Sequence, residues 1–160
     1  MIAAADRRAA VIDHIAHPSF DVAATHRFYT EILGARLAGA LDGESPEWNA
    51  RYLLTVYDLY GAEIDFFTFV GIARPAPDGL PRDIRHVGIA LPPAALTELR
   101  ERLDHHAVAH WIERHEGDGD VHVYVPDPNG LVLELSVATP PAPSRTGAAD
   151  IVRNWILQFS

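Results

Sequence analysis

An internal repeat limits the folds that are open to this chain. The nine residues from Asp58 to Phe66 match the nine residues from Asp127 to Leu135, and both segments read Asp-x-x-Gly-x-x-aliphatic-acid-apolar. In each copy the glycine lies where a turn can adopt a positive φ at low cost. The residues after it alternate as in a short strand, with a carboxylate between two apolar neighbours. The chain is therefore predicted to use one hairpin twice.

A second pair of matching segments lies upstream of the hairpins. Val11 to Ile15 matches Asp83 to Val87, and each segment is predicted to be a short strand centred on a histidine. The two histidines, His14 and His86, are 72 residues apart. The whole unit from strand to hairpin is therefore predicted to occur twice.

Each half adds one helix and further strands between the histidine and the hairpin. The first helix is predicted from an apolar face over about Val22 to Leu33, with Asp21 as its N-cap and Gly34 at its end. The predicted order in both halves is β-α-β-β-β, an α+β arrangement. The remaining predicted elements are strands 36–41, 51–57 and 63–70, a helix over about 94–104, and strands 109–114, 121–125 and 131–137.

The repeat also sets the predicted domain organisation. Residues 1–10 form an N-terminal extension, and residues 11–138 form one domain of two modules, 11–70 and 83–138. Residues 139–160 contain a proline-rich linker and a C-terminal amphipathic segment. Because an exposed apolar stripe is unfavourable, we expect that segment to pack on its own domain or on a twin subunit. Its apolar residues at helical spacing are Ile151, Val152, Trp155, Ile156 and Phe159.

Composition and charge exclude several classes of function. All 13 basic residues are arginine, which excludes Schiff-base lysine chemistry, and the absence of cysteine excludes thiol nucleophiles and disulfides. The net charge of -9 argues against a nucleic-acid partner. The N-terminus does not read as a secretory signal, and the longest apolar run, 87–96, is too short to span a membrane. We therefore expect a cytoplasmic protein with no membrane role.

Six polar side chains are predicted to share one side of the strands. Successive side chains of a strand point to opposite faces, and the apolar neighbours of these residues point toward the helices. Burying such a set without a cation is costly, and two imidazoles with one or two carboxylates suit a divalent metal such as Fe(II), Mn, Zn, Ni or Co. The six residues are His14, Asp65, His86, His122, Tyr124 and Glu134.

With these residues the chain resembles the vicinal oxygen chelate superfamily, which includes glyoxalase I, extradiol dioxygenases and bleomycin-binding proteins. The match covers about residues 11–138. The segments that carry it are Ile12-Asp-His14-Ile, Phe28-Tyr29-Thr-Glu-Ile-Leu33-Gly34, Arg85-His86-Val-Gly-Ile, and Val123-Tyr124-Val-Pro-Asp127-Pro128-Asn-Gly130-Leu-Val-Leu-Glu134-Leu.

The resemblance implies paired modules that form a curved open sheet, whose concave face holds one divalent metal. It carries His14, His86 and Glu134 over as metal ligands, and it places Asp65 where glyoxalase I has a fourth ligand. The metal of such proteins binds two neighbouring oxygens of a small substrate. Superfamily members also commonly pair modules across a dimer, so we expect a homodimer.

The function expected from the resemblance is a glyoxalase-type lyase or isomerase. In that interpretation Asp65 or Glu134 transfers a proton, and His122 and Tyr124 position the substrate or donate to it. Two alternatives remain open at this point. One is a small Fe(II) extradiol dioxygenase, and the other is a protein that sequesters a drug or metabolite, as bleomycin-resistance proteins do.

Overall fold

Two four-stranded sheets with the same strand order organise the chain. The computed structural model describes residues 12–81, 84–114, 121–137 and 147–159. The first sheet contains β1 (His14–Pro18), β2 (Arg36–Ser45), β3 (Ala50–Leu59) and β4 (Ala62–Phe69), and the second contains β5 (His86–Leu91), β6 (Trp111–Arg114), β7 (Val121–Pro126) and β8 (Val132–Val137). The helices are α1 (Val22–Arg27), which continues as a π-helical turn over Phe28–Ile32, α2 (Pro93–His105) and α3 (Ala148–Phe159).

The strand orders are β1-β4-β3-β2 in the first sheet and β5-β8-β7-β6 in the second. In both sheets the first strand pairs in parallel with the last, and the other pairs are antiparallel. The registers also correspond, because Ala16 pairs with Asp65 and Gly88 pairs with Glu134. The predicted α+β fold of two β-α-β-β-β modules is thereby confirmed.

The histidine strands differ from their prediction. His14 and His86 are the first residues of β1 and β5, and not their central residues. In the parallel register of β1 and β4 the paired residues run from His14 opposite Glu63 to Pro18 opposite Phe67. The strand therefore begins at the histidine and extends after it.

The first helix and the strands of the first module also differ in detail. Asp21 accepts a hydrogen bond from the Ala24 N–H at 2.9 Å, which confirms the predicted N-cap. The helix changes to a π-helical turn at Phe28, where the sequence pattern predicts a continuous helix. The hairpin of β2 and β3 is longer than predicted, because its register continues from Arg36 to the Ser45–Ala50 pair.

A buried turn connects the two modules. Asp127, between β7 and β8, accepts hydrogen bonds from the backbone N–H groups of Asn129 and Leu131, both at 2.8 Å, and from the Tyr29 hydroxyl at 3.3 Å. Asn129 in turn donates to Thr25 Oγ1 at 2.9 Å, and its side-chain oxygen accepts from the Phe20 N–H at 3.0 Å. Burial raises the pKa of Asp127, and burial together with the neighbouring Asp127 raises the pKa of Tyr29.

The equivalent aspartate of the first module has a different environment. Asp58 accepts from the Gly61 N–H at 2.7 Å, and its other oxygen pairs with Arg36 at 2.8 Å on the surface. The backbone hydrogen bond of Gly61 and the pairing with Arg36 lower the pKa of Asp58. One motif therefore forms a surface turn in one module and a joint between modules in the other.

The C-terminal segment is helical as predicted, but none of the described residues of α3 is buried. Its aromatic side chains Trp155 and Phe159 are 65% and 61% exposed. Among the described residues α3 thus does not pack on its own domain, which was one of the two expected arrangements. No helix in those residues combines the length and the apolar character needed to cross a membrane.

The joint predicts a difference between two matched substitutions. Asp127→Asn replaces an acceptor oxygen with an amide that faces N–H and O–H donors, so we expect it to lower the free energy of unfolding by about 2 kcal/mol or more. Asp58→Asn, in the exposed copy, is expected to cost less than about 1 kcal/mol. Urea unfolding of both variants measures the difference. Equal losses would contradict the assignment of Asp127 as the joint.

Candidate metal centre

The open face of the second sheet brings one carboxylate between two imidazoles. Glu134, in β8, is 14% exposed, and its Oε2 lies 2.8 Å from His86 Nε2. Its other oxygen, Oε1, contacts His122 Nδ1 on β7. Both oxygens of this carboxylate are therefore held by ring nitrogens from the two strands that flank β8.

The alternation of β7 and β8 explains this placement. Leu133 and Leu135 are fully buried in the core, so Glu134 points to the opposite face. Val123 and Val125 are likewise fully buried, which turns His122 to the face of Glu134. Across from Glu134 on β5 lies Gly88, and a Cβ atom there would meet no atom within 4 Å. The sequence thus leaves open space beside the carboxylate.

Tyr124 closes one side of this group. It pairs directly with Glu134 in the register of β7 and β8, and it is 4% exposed. Its ring contacts His86 edge to face, with centroids 5.7 Å apart, and stacks on Trp111 at 5.3 Å with an angle of 8°. Trp111 was not predicted to belong to this group, because its place opposite Tyr124 depends on the register of β6 and β7.

Asp65 occupies the equivalent position in the first sheet. Its neighbours Ile64 and Phe66 are fully buried against the helix, so Asp65 faces the open side. Its Oδ1 is buried, and no hydrogen-bond donor in the described residues reaches it. A buried acceptor without a donor costs on the order of 1 to 3 kcal/mol, so this atom is suited to a donor or cation from outside the chain.

His14 has no hydrogen bond or ion pair with Glu134 among the described residues. Its side chain is 48% exposed, and its Nδ1 lies 3.1 Å from Asp13 Oδ1. It lines a cavity of about 370 Å³ that is also bordered by residues 87–90 of β5. In the part of the chain that the structure describes, no three His, Asp or Glu side chains are arranged to hold a metal ion.

Contacts in the structure join four of the six predicted side chains, namely His86, His122, Tyr124 and Glu134, and no contact among the described residues joins His14 or Asp65 to them. Asp65 and His14 are on the predicted faces, but no hydrogen bond or ion pair between described residues connects them to Glu134. Face assignment follows from alternation along a strand. The distance between residues of the two modules does not follow from alternation.

The chemistry of the donor set fits a divalent metal. Imidazole nitrogen and carboxylate oxygen are common ligands of Zn, Fe, Mn, Ni and Co. The group contains two imidazoles, of His86 and His122, and the carboxylate of Glu134. In this chain those atoms bind one another. The buried Oδ1 of Asp65 is a further possible ligand atom, and it accepts no hydrogen bond from the described residues.

Solved structures similar to this chain share its fold. A glyoxalase family protein from Enterococcus faecalis is 25% identical, with a TM-score of 0.57, over 79% of this chain and 96% of its own. The trypanothione-dependent glyoxalase I of Leishmania major is 20% identical, with a TM-score of 0.58, over 93% of this chain and 97% of its own.

A third structure shows a relative with a metal. A variant of the fosfomycin resistance protein FosX from Listeria monocytogenes, in complex with Mn(II) and 1S,2S-dihydroxypropylphosphonic acid, is 17% identical, with a TM-score of 0.55. The alignment covers 81% of this chain and 93% of that one. At this identity the similarity shows a common fold only. No curated protein matches the sequence.

The family assignment rests on the sequence as well as the fold. The family description of the glyoxalase, bleomycin resistance protein and dioxygenase superfamily matches residues 11–151, which include both sheets and the whole group around Glu134. With this match and the shared fold of the solved structures, the chain belongs to the Glyoxalase/Bleomycin resistance protein/Dioxygenase superfamily.

Proposed function

We propose that this chain is a metal-dependent enzyme of the glyoxalase type, a lyase or isomerase that binds neighbouring oxygens of a small substrate and transfers a proton. The observation that supports this most directly is Glu134, a largely buried carboxylate held between His86 and His122 on an open sheet face. A protein that only sequesters an apolar compound has no need of this set of donors.

The residues proposed to hold the metal come from both modules. His86 and Glu134 supply ligands from the second module and His14 supplies one from the first, with Asp65 as a fourth group. A divalent metal bound there would polarise a substrate carbonyl and make a neighbouring C–H more acidic.

The protein side chains have separate roles in this proposal. Asp65 accepts the proton, because its buried oxygen has no donor within the described residues and is free for one from the substrate. Glu134 is the second carboxylate for the transfer. Tyr124, which packs on His86, and His122, which contacts Glu134, position the reacting groups.

The proposed assembly is a homodimer. Within the described part of one chain no three His, Asp or Glu side chains are arranged to hold a metal, and a second copy would supply the missing ligand from its own module. The apolar side of α3 is exposed in the single chain and is available for a subunit contact. We therefore place α3 at the contact with the neighbouring subunit.

Metal binding tests the ligand assignment. Protein purified without an affinity metal or a chelator is expected to hold one divalent ion per chain, and His14→Ala, His86→Ala or Glu134→Gln is expected to lower its affinity by 100-fold or more (on the order of two pKd units). Elemental analysis and calorimetric titration measure this. The control is His105→Ala, an exposed residue at the end of α2. Unchanged stoichiometry and affinity in His14→Ala would show that the assignment is wrong.

Turnover tests the role of Asp65. Asp65→Asn keeps the shape of the side chain but removes the base, so activity on methylglyoxal hemithioacetal is expected to fall on the order of 100-fold while the metal is retained. Glu101→Gln, an exposed carboxylate on α2, is the control. Full activity in Asp65→Asn would count against proton transfer, and oxygen-dependent turnover of a catechol with Fe(II) would favour the dioxygenase.

Removal of residues 145–160 tests the assembly. Since α3 exposes an apolar side in the single chain, the truncated protein is expected to dissociate at higher protein concentration than the full chain or to melt at a lower temperature. Analytical ultracentrifugation and thermal melting measure the two effects. A monomeric mass at every concentration, together with an unchanged melting temperature, would refute the homodimer.

A further inference from the structure

A row of aromatic rings covers the open face of the first sheet beyond Asp65. We call it the aromatic face and define it by Trp48, Tyr52, Leu54, Phe67 and Phe69. The alternation of β4 produces it, because every second residue after Asp65 is a phenylalanine on the same side. Neighbouring β3 contributes Leu54 opposite Phe67 and Tyr52 opposite Phe69.

The rings contact one another in a continuous row. Phe67 and Phe69 are nearly parallel, at 17° with centroids 6.4 Å apart, and Tyr52 lies 6.3 Å from the first and 6.0 Å from the second. Trp48 extends the row at 5.8 Å from Phe69. All four distances are within the range of aromatic pairs. The indole is 60% exposed, so the end of the row is open to a ligand.

The residues beside Asp65 are smaller than the rings, so the side chains of the face project less at the Asp65 end than at the Phe69 end. Asp65 pairs with Ala16 on β1 and with Val56 on β3, and Val56 pairs with Gly39 on β2. A carboxylate oxygen without a donor among the described residues thus lies at the low end of an apolar wall. From Asp65 to Phe69 the wall is about 13 Å long, at about 3.3 Å per strand residue.

The missing side chain of Gly43 leaves room for the ring of Tyr52. A Cβ atom at Gly43 would come within 3.3 Å of Tyr52 Cε1 and of its hydroxyl oxygen. The ring therefore lies across the backbone of β2, where a larger residue would displace it. Gly43 is the direct partner of Tyr52 in the register of β2 and β3, so the glycine lies where the ring crosses β2.

We propose that the aromatic face binds a flat aromatic group of the substrate, which donates an O–H or N–H to Asp65 Oδ1. The inference rests on the proposed function for the reaction and adds the class of substrate. Between Asp65 and Phe69 the strand positions of this face carry no charged side chain, which disfavours a polar or ionic substrate tail there. At the Asp65 end of the face, the buried oxygen of Asp65 favours a ring that carries a hydrogen-bond donor.

Binding of 2-naphthol by the full-length protein tests this proposal without any turnover. Calorimetric titration is expected to show that 2-naphthol binds at least about 10-fold more tightly than 2-methoxynaphthalene, which has the same rings but no donor. Asp65→Leu is expected to abolish this difference. Quenching of the Trp48 indole, identified by its absence in Trp48→Phe, places the ligand on the face.

Variants that replace a ring with an apolar side chain separate the loss of ring contacts with the ligand from a loss of folding stability. Phe69→Leu and Tyr52→Leu are expected to weaken 2-naphthol binding by about 5- to 10-fold with an unchanged melting temperature. Tyr60→Asn, which removes an exposed ring from the β3–β4 turn, is the control and should bind as the wild type does.

Two results would overturn the inference. One is equal affinity for 2-naphthol and 2-methoxynaphthalene in the wild type, and the other is binding that Phe69→Leu and Tyr52→Leu leave unchanged. A loss of self-association in those variants, without any ligand binding, would assign the face to a second copy of the chain. Metal titration of the same samples reports separately on the proposed function, since the naphthol assay requires no metal.

Discussion

The hydrogen bonds of Asp127 determine how the two modules lie against each other. This one carboxylate holds its own turn through two backbone N–H groups and holds the first module through the Tyr29 hydroxyl. Asn129 adds contacts to Thr25 and Phe20. Because these partners lie at both ends of α1, the turn fixes the helix. The first sheet packs on that helix through Tyr29, whose ring stacks on Tyr57 at 5.2 Å.

Much of the fold could be predicted from the sequence because it depends on local patterns. The repeat at Asp58 and Asp127 predicted two hairpins, and alternation placed His14, Asp65 and Glu134 on faces away from the helices. Asp21 as a cap could likewise be predicted, since it needs only the residues that follow it. Each of these features depends on neighbours within a few positions of the chain.

The features that could not be predicted depend on distances across the fold. The same motif gives no indication that Asp127 is buried and Asp58 exposed, because that difference comes from the helix packed on one turn. Alternation placed His122 on the face of Glu134 but could not show that the two touch. It also could not show that His14 pairs with Asp13.

The two repeated modules give their carboxylates different surroundings on the two open faces. Glu134 lies among imidazoles on the second sheet, whereas Asp65 lies at the end of a wall of rings on the first. The two carboxylates lie on β4 and β8, and each of these strands is paired on both sides. A change of a ring or of another side chain on one open face therefore leaves the carboxylate of the other face in place. The repeated modules are in this sense separately adjustable parts of one chain.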